Sequence, residues 1–410
     1  MSLKILFLTP SVPYPPHTGG QLRSWHILKY LSKKGDVTLI SIGRPEQYDP
    51  YVPELKKYCR QILFVDPKKF EINQKFGKFK ALKIRFAKLA SLRPWLLDDF
   101  VDPEILKQIE NAGPQQFDLI VIRFAVMGYH FITNKRLRSF LPKLLIDIDD
   151  VSTIVQERML RSMNWSYRKL RTYLDLIFLK RYYRKLKHAP FSFTVTSRDR
   201  EYVLRNQMSQ NVFVIPNMFE VNGKKLCSVD QIKEPEMLFC GMMSYPPNQA
   251  AVMFFVKKVF PLIRNQVPNA HLTIVGKHTP ENIMKLGSMP GITAAGYVPS
   301  MDPYYEKAAV FVVPLLNGGG TRIKILEAMS YERPVVSTSI GAEGIDVVHG
   351  ENILIGDQPE EFARQCIELL QNPRKRKEIA VQGYRLVKEH YDLPVFHRRM
   401  DEVFKFISER

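Results

Sequence analysis

The sequence predicts an α/β protein built from two doubly wound domains, and three observations predict it. Short apolar, β-branched runs recur along the chain with helical stretches between them. The runs are apolar on both faces, which suits parallel strands covered by helices on each side. The series occurs twice, with a polar stretch between the two halves. A chain of 410 residues agrees, since ~100–200 residues per domain gives two or three.

The first series is KILFLTP (4–10), DVTLISI (36–42), QILFVD (61–66), DLIVIRF (118–124), LLIDID (144–149), FTVTS (193–197) and VFVIP (212–216). NGKKLCSVDQIKEPE (222–236) reads as a linker. The second series is EMLFCG (236–241), HLTIVG (271–276), GITAAGYV (291–298), AVFVVPLL (309–316), PVVSTS (334–339) and NILIG (352–356). Helices are expected at 358–371 and 373–390, then a break at 391–394 and a last helix over 395–409. The expected domains are residues 1–218 and 219–394, with 395–410 packing back on the first. In open sheets of this kind ligands bind beyond the carboxyl ends of the strands, so a cleft between facing domains is the expected site.

Composition is ordinary for a globular chain, with 45% hydrophobic and 25% charged residues. The unusual quantity is a formal charge of +19, and it is concentrated. Residues 68–93 carry nine bases and one acid, and residues 158–188 carry ten and one. Those two stretches hold +17 of the surplus, so the remainder is close to neutral. Cys59, Cys227, Cys240 and Cys366 form no close pair, which points to reduced thiols in a cytoplasmic setting rather than a disulfide framework or a zinc site. The first apolar run is too short for a signal peptide, and no stretch approaches the ~20 apolar residues of a membrane span.

The segment AVFVVPLLNGGGTRIKILEAMSYERPVVST (309–338) is the most informative. A strand gives way to the loop Asn317-Gly318-Gly319-Gly320, and Thr321 is placed to cap a helix. Three glycines allow close backbone approach, and a helix start presents free N–H groups, together an anion site of the phosphate-holding kind. Arg322 and Lys324 fall in the first helical turn, where the macrodipole disfavours cations by ~0.3–1 kcal/mol each. A bound diphosphate reverses that sign. The plain alternative is a flexible turn with two solvated bases. Glu327 either pairs with Lys324 at i,i+3 or accepts both hydroxyls of a ribose.

This segment, followed by Gly341-Ala342-Glu343-Gly344, resembles the donor-binding region of family 4 glycosyltransferases, which have the GT-B fold. GMMSYPPNQAAVMFF (241–255), LTIVG (272–276), GYVPSMDPYYEKAAVFVVP (296–314) and the N-terminal stretch 4–41 carry the same likeness, the last to sugar transferases of surface polysaccharide biosynthesis. The resemblance implies two Rossmann-like domains facing across a cleft. It implies a nucleotide-diphosphate sugar donor held by the C-terminal domain, through Gly241, Gly276, Asn317, Gly318, Gly319, Gly320 and Thr321. It also implies a lipid-linked or glycan acceptor on the N-terminal domain, transfer with retention, and neither metal nor cofactor. Arg322 and Lys324 would stabilise the leaving diphosphate, with Glu327 beside it. Two departures stand out. The family's first glutamate, eight positions before Glu327, is Gly319 here, and its Arg and Lys after the first C-terminal strand are missing, a loss that Arg322 and Lys324 are expected to cover.

In the N-terminal half, Gly19 and Gly20 lie in the loop after the first strand, before a helix expected to begin near Gln21, either touching donor phosphates or serving a turn that needs glycine. Arg23, again wrong-signed for the dipole, is expected to face the diphosphate. Asp147, Asp149 and Asp150 lie at a strand's carboxyl end, and Asp149 takes the place where family members often have a histidine near the transferred sugar. Its alternative is a capping or structural role. Arg123 is a further candidate on the rim. His17 and His130 are expected at the surface, and no histidine cluster has metal-ligand spacing.

Residues 75–93 form a basic amphipathic pattern. Phe76 and Phe79 lie on one face, while Lys80, Arg85 and Lys88 fall away from it, as in a segment lying in an anionic membrane interface. Residues 163–188 mix bases with Trp165, Tyr167, Tyr173, Tyr182 and Tyr183. Both patches belong to the acceptor side, so the enzyme is expected in the cytoplasm, peripheral on the membrane's inner face. Bases with aromatics also suit nucleic acid, but no nucleic-acid motif accompanies them. A catalytically silent partner subunit, a nucleic-acid-binding protein and a sugar epimerase on the same fold are the competing readings.

Overall fold

The computed structural model describes residues 2–66, 103–149, 151–221, 227–318 and 322–409. It divides into two compact units, Met1–Ile215 and Pro216–Arg410.

The first unit is built on one parallel sheet of seven strands: β1 (Leu3–Thr9), β2 (Gly35–Ile42), β3 (Gln61–Val65), β4 (Leu119–Arg123), β5 (Leu144–Asp147), β6 (Phe191–Thr194) and β7 (Asn211–Val214). Their order is β3-β2-β1-β4-β5-β6-β7. The second unit repeats the plan with β8 (Glu236–Cys240), β9 (His271–Val275), β10 (Ile292–Gly296), β11 (Val310–Val313), β12 (Val335–Ser337) and β13 (Leu354–Ile355), ordered β10-β9-β8-β11-β12-β13. Every described strand pair is parallel, with Ile5 opposite Val37 and Glu236 opposite His271.

Burial on both faces explains the continuous apolar runs. Ile5, Leu6, Phe7 and Leu8 are all fully buried, as are Val310, Phe311, Val312 and Val313, because helices cover each side of each sheet. In both sheets the order reverses beside the first strand, between β1 and β4 and between β8 and β11. Such switch points leave a crevice at the carboxyl ends of the strands. The helices Gly19–Leu31, Pro246–Phe254 and Ile323–Ser330 begin there, after β1, β8 and β11.

The stretch expected as a linker is packed in its described part. Arg376, itself buried, donates from Nε to the Val229 carbonyl (2.9 Å) and from Nη2 to that of Ile232 (2.6 Å), while Arg333 Nη2 reaches the Cys227 carbonyl (2.8 Å). Polar composition there reflects backbone satisfied by buried arginines, which a composition argument cannot distinguish from solvation. The last three helices are Pro359–Gln371, Pro373–His390 and Leu393–Ser408, the final one starting where the Asp392 carboxylate accepts from the Leu393 N–H (2.8 Å).

Candidate active site

In the second unit, glycine at two strand ends is dictated by space. A Cβ on Gly276, after β9, would lie 2.1 Å from the Gly241 carbonyl oxygen, so these two backbones meet with no room for a side chain. A Cβ on Gly241, after β8, would lie 2.8 Å from Lys324 Nζ and 2.9 Å from Asn248 Nδ2. The strand-end backbone thus forms a floor over which the Lys324 side chain lies.

Beyond β11 the chain runs through exposed Asn317 to Gly318, whose φ of +116° is a glycine conformation. Gly319, Gly320 and Thr321 lie outside the described residues, as does Asp150. The helix begins at Ile323 with Arg322 in the cap position and no side-chain capping bond, so the cap expected at Thr321 falls to Arg322. Both cations still stand at the helix start. Arg322 is buried, and its guanidinium passes 3.2 Å from where a Cβ on Gly318 would be.

Lys324 does not turn back to Glu327. Its Nζ donates to Asn248 Oδ1 (2.9 Å) and lies 4.7 Å from the centre of the Phe239 ring. Desolvation lowers its pKa to about 8; Arg322 pushes the same way, while Cys240 and Glu327 oppose it. Glu327 is pushed up to about 7, again chiefly by desolvation, against the pull of Lys324 and a hydrogen bond from Tyr305; Asp302 adds to the rise. The Tyr305 hydroxyl is 3.8 Å from Cys240 Sγ, its ring stacks on Tyr331 at 4.4 Å, and the Tyr331 hydroxyl donates to Asp302 (2.7 Å). Two cations, a carboxyl whose charged form desolvation disfavours and a helix N-terminus lie together here, a combination that suits a multiply charged anion.

In the first unit, Thr18 caps the helix Gly19–Leu31, its Oγ1 accepting from the Gln21 N–H (3.2 Å) while Gln21 Oε1 accepts from His17 N–H (3.1 Å). Arg23 does not face a ligand. It is fully buried and grips Asp147 with two bonds, Nε to Oδ2 (2.8 Å) and Nη2 to Oδ1 (2.9 Å), while Nη1 donates to the Ile215 carbonyl (2.8 Å). Arg123 is likewise buried rather than on a rim. It donates to Asp147 Oδ2 (2.9 Å), Asp149 Oδ2 (3.0 Å), Ser24 Oγ (3.1 Å) and the Gly20 carbonyl (3.2 Å). Burial alone would raise the Asp147 carboxyl, but Arg23 and Arg123 outweigh it and hold it below the ordinary carboxylate range. Asp147 is therefore a structural acid. Asp149, at φ +54° and 8% exposed, keeps its carboxylate beside the Gly20 backbone through this shared arginine. His130 is buried, not superficial.

Sequence reasoning missed Asn248 and Tyr305. For Asn248 a signal existed: Pro246 and Pro247 open its helix, which places it in the first turn, where a side chain points back towards the preceding strand end. Tyr305 reaches Glu327 only through the sheet order and has no local signature.

Residues 234–372 match the family model of glycosyl transferases group 1. That segment runs from β8 through the helix Pro359–Gln371 and contains the second-unit site residues, from Phe239 and Gly241 to Tyr331. An uncharacterized 44.6 kDa protein in the cps region of Klebsiella pneumoniae is 23% identical over 398 residues, covering 95% of this chain and 96% of that one. Among solved structures, Anabaena HepE in complex with UDP and glucose superposes with a TM-score of 0.61 at 14% identity, covering 98% and 99% of the two chains. A mutant of S. aureus TarM in complex with fondaparinux, alpha-GlcNAc-glycerol and UDP gives 0.65 at 12% identity, again over 98% and 99%. A glycosyltransferase from Rickettsia africae gives 0.64 at 14%, over 100% and 99%. At such identities the likeness establishes the fold, two Rossmann-like domains of the GT-B class. Fold and family model together support a glycosyltransferase.

Proposed function

We propose that this protein is a retaining glycosyltransferase that moves a sugar from a nucleotide-diphosphate donor to a hydroxyl of a lipid-linked or polysaccharide acceptor at a membrane surface. The observation that carries the reading is the pair Arg322 and Lys324 at the start of the helix Ile323–Ser330, above the strand-end glycines 241 and 276, with Glu327 one turn further. The UDP in the HepE and TarM complexes and the cps-region relative support the donor class and the polysaccharide setting.

In this reading the bond between the anomeric carbon and the diphosphate oxygen breaks, and its electron pair leaves with the diphosphate. The acceptor oxygen bonds to the anomeric carbon on the same face, and its proton passes to the leaving phosphate oxygen. The chain's own contribution is electrostatic: Arg322, Lys324 and the helix N–H groups meet charge where it develops. Glu327 accepts ribose hydroxyls. Asp149, held by Arg123, is the first unit's group for acceptor hydroxyls. No step calls for a metal or an organic cofactor.

The membrane setting is supported by the helix Tyr167–Lys185, since the segment 75–93 with Phe76, Phe79, Lys80, Arg85 and Lys88 lies outside the described residues. Its outer face exposes Tyr167 (70%), Tyr173 (53%), Leu170 and Ile177, and Trp165 (81%) just precedes it. Arg168, Arg171, Arg181, Arg184 and Lys185 are exposed beside them, while the segment's one acid, Asp175, is buried. Large apolar side chains interleaved with bases suit the headgroup–acyl boundary of an anionic leaflet, each base adding ~1 kcal/mol. Among the described residues no helix is long and apolar enough to cross a membrane.

A thermal-shift screen of the full chain against UDP-, GDP-, ADP- and dTDP-sugars tests the donor class, because a ligand of the folded state raises Tm. Stabilisation by one of them is the expected result. Product from that donor, formed equally in EDTA and with the donor's anomeric configuration by NMR, tests transfer and retention. Binding without transfer or hydrolysis would instead favour the silent partner subunit, which the glycine at position 319 makes the second reading.

A further inference from the structure

Asn248 is a buried polar side chain (6% exposed) to which the chemistry above gives no part. Its amide is oriented by two hydrogen bonds of opposite sense. Nδ2 donates to the Met242 carbonyl (2.8 Å), and Oδ1 accepts from Lys324 Nζ (2.9 Å). An ammonium can only donate and a backbone carbonyl can only accept, so this arrangement admits one orientation of the amide. Asn248 is itself fixed, its backbone N–H bonded to the Tyr245 carbonyl (3.0 Å) in the first turn of its helix.

We propose that Asn248 is a positioning residue that holds the Lys324 ammonium over the Gly241 backbone, charged and aimed at the donor's diphosphate. The inference rests on the donor reading above and deepens it. The chemistry of the acceptor is what matters. A carboxylate at this position would fix the lysine equally well but neutralise it, leaving less charge for the anion. An amide oxygen fixes it through a charge-assisted bond and leaves the charge intact. The need is real at this site, because desolvation has already brought Lys324 down to about 8, close to losing its proton at neutral pH. The other charged or titratable groups facing it are Arg322 and Glu327 on its own helix and Cys240 at the end of β8. Cys240 is itself pushed up to about 12, which keeps its thiol neutral. Asn248 is thus the neutral group that can favour the charged lysine without competing with a phosphate for it.

The test is UDP affinity by titration calorimetry on the full chain from pH 6.5 to 9.5. The wild type is compared with Lys324→Ala, Asn248→Ala and Asn248→Asp, with Tm recorded for each. Wild-type affinity falls as pH climbs through about 8 and the lysine loses its proton. Lys324→Ala weakens binding at pH 7 and abolishes that falling limb, which assigns the limb to Lys324. Asn248→Ala moves the limb to lower pH and weakens binding at pH 7 by about 10-fold, the scale of a lost hydrogen bond to a charged group. Asn248→Asp moves the limb to higher pH and also weakens binding at pH 7. Opposite shifts from two substitutions at one position are not what a space-filling residue produces. If both variants keep their Tm and the limb stays put while Lys324→Ala removes it, Asn248 has no positioning role and the inference fails alone. If the wild type binds none of UDP, GDP, ADP and dTDP, the donor reading itself fails. If Asn248→Ala does not fold, the shift in Asn248→Asp decides.

Discussion

Asp147→Asn removes the anion that two fully buried arginines share, and its cost can be worked from the contacts. Asp147 accepts from Arg23 Nε, Arg23 Nη2 and Arg123 Nη1, all between 2.8 and 2.9 Å, with no exposed surface on any partner. Breaking a buried pair typically costs ~3–5 kcal/mol, because a charge is left uncompensated. Asparagine keeps one acceptor oxygen but turns an amino group towards a guanidinium, so a loss of at least about 3 kcal/mol is expected. The loss belongs to the first unit, and the sequence supplies a probe for it: Trp25, Trp95 and Trp165 are the only tryptophans, and all precede residue 215. Urea titration followed by tryptophan fluorescence therefore reads that unit without assuming that the whole chain unfolds in one step. The pH dependence has a definite sign. Asp147 has a folded pKa below its unfolded value of ~3.9, so its contribution is complete at neutral pH and disappears as pH falls below that value towards the folded one. The gap between wild type and variant should accordingly narrow in acid. In the folded fraction, a loosened Arg123 also frees Asp149 and the Gly20 carbonyl, so turnover should fall more than donor affinity. A urea midpoint equal to wild type at pH 7 would refute the energetic argument. Unchanged turnover in a destabilised variant would refute the link to Asp149.

Three further outcomes follow from the geometry. Gly276→Ala must displace backbone, since its Cβ would meet the Gly241 carbonyl at 2.1 Å; a loss of about 1–3 kcal/mol in the second unit, with weakened UDP binding, is expected by tyrosine-region circular dichroism and calorimetry. Glu327→Gln removes a carboxyl held at about 7, which makes the wild type lose stability as pH rises from ~4.3 to that value, because the native state keeps a proton the unfolded chain releases. The variant's Tm should therefore gain on wild type between pH 5 and 7.5, and an unchanged difference would contradict the raised pKa. Ile177→Asp, on the exposed face of the helix Tyr167–Lys185, should reduce flotation with vesicles rich in anionic lipid at least tenfold while leaving UDP affinity alone. Equal flotation, or retention of a DNA duplex at physiological salt instead, would overturn the membrane assignment.

How much was legible depended on how local each feature is. The central strands could be located because parallel strands buried on both faces are continuous apolar words, as in Ile5 to Leu8 or Val310 to Val313; the half-buried edge strands β3, β7 and β10 carry a weaker form of the same signal. Arg322, Lys324 and Glu327 could be grouped because one loop and two turns of one helix contain them. Arg23 shows the opposite case. A base in the first turn of a helix after a glycine pair looks the same in sequence whether it meets a phosphate or a carboxylate 124 residues away.

Sequence by itself therefore determined the doubly wound architecture, the repeated plan and the cations at the helix start, since periodicity, glycine and helix polarity act over a few residues. Tertiary structure alone decided which charges are spent and which remain available. Arg23 and Arg123 are committed to Asp147 because β1, β4 and β5 are neighbours in the sheet. Lys324 is held by an amide 76 residues earlier because β8 and β11 are neighbours too. Strand order sets those encounters, and in a parallel sheet every such pairing is made through long crossovers that no local pattern encodes.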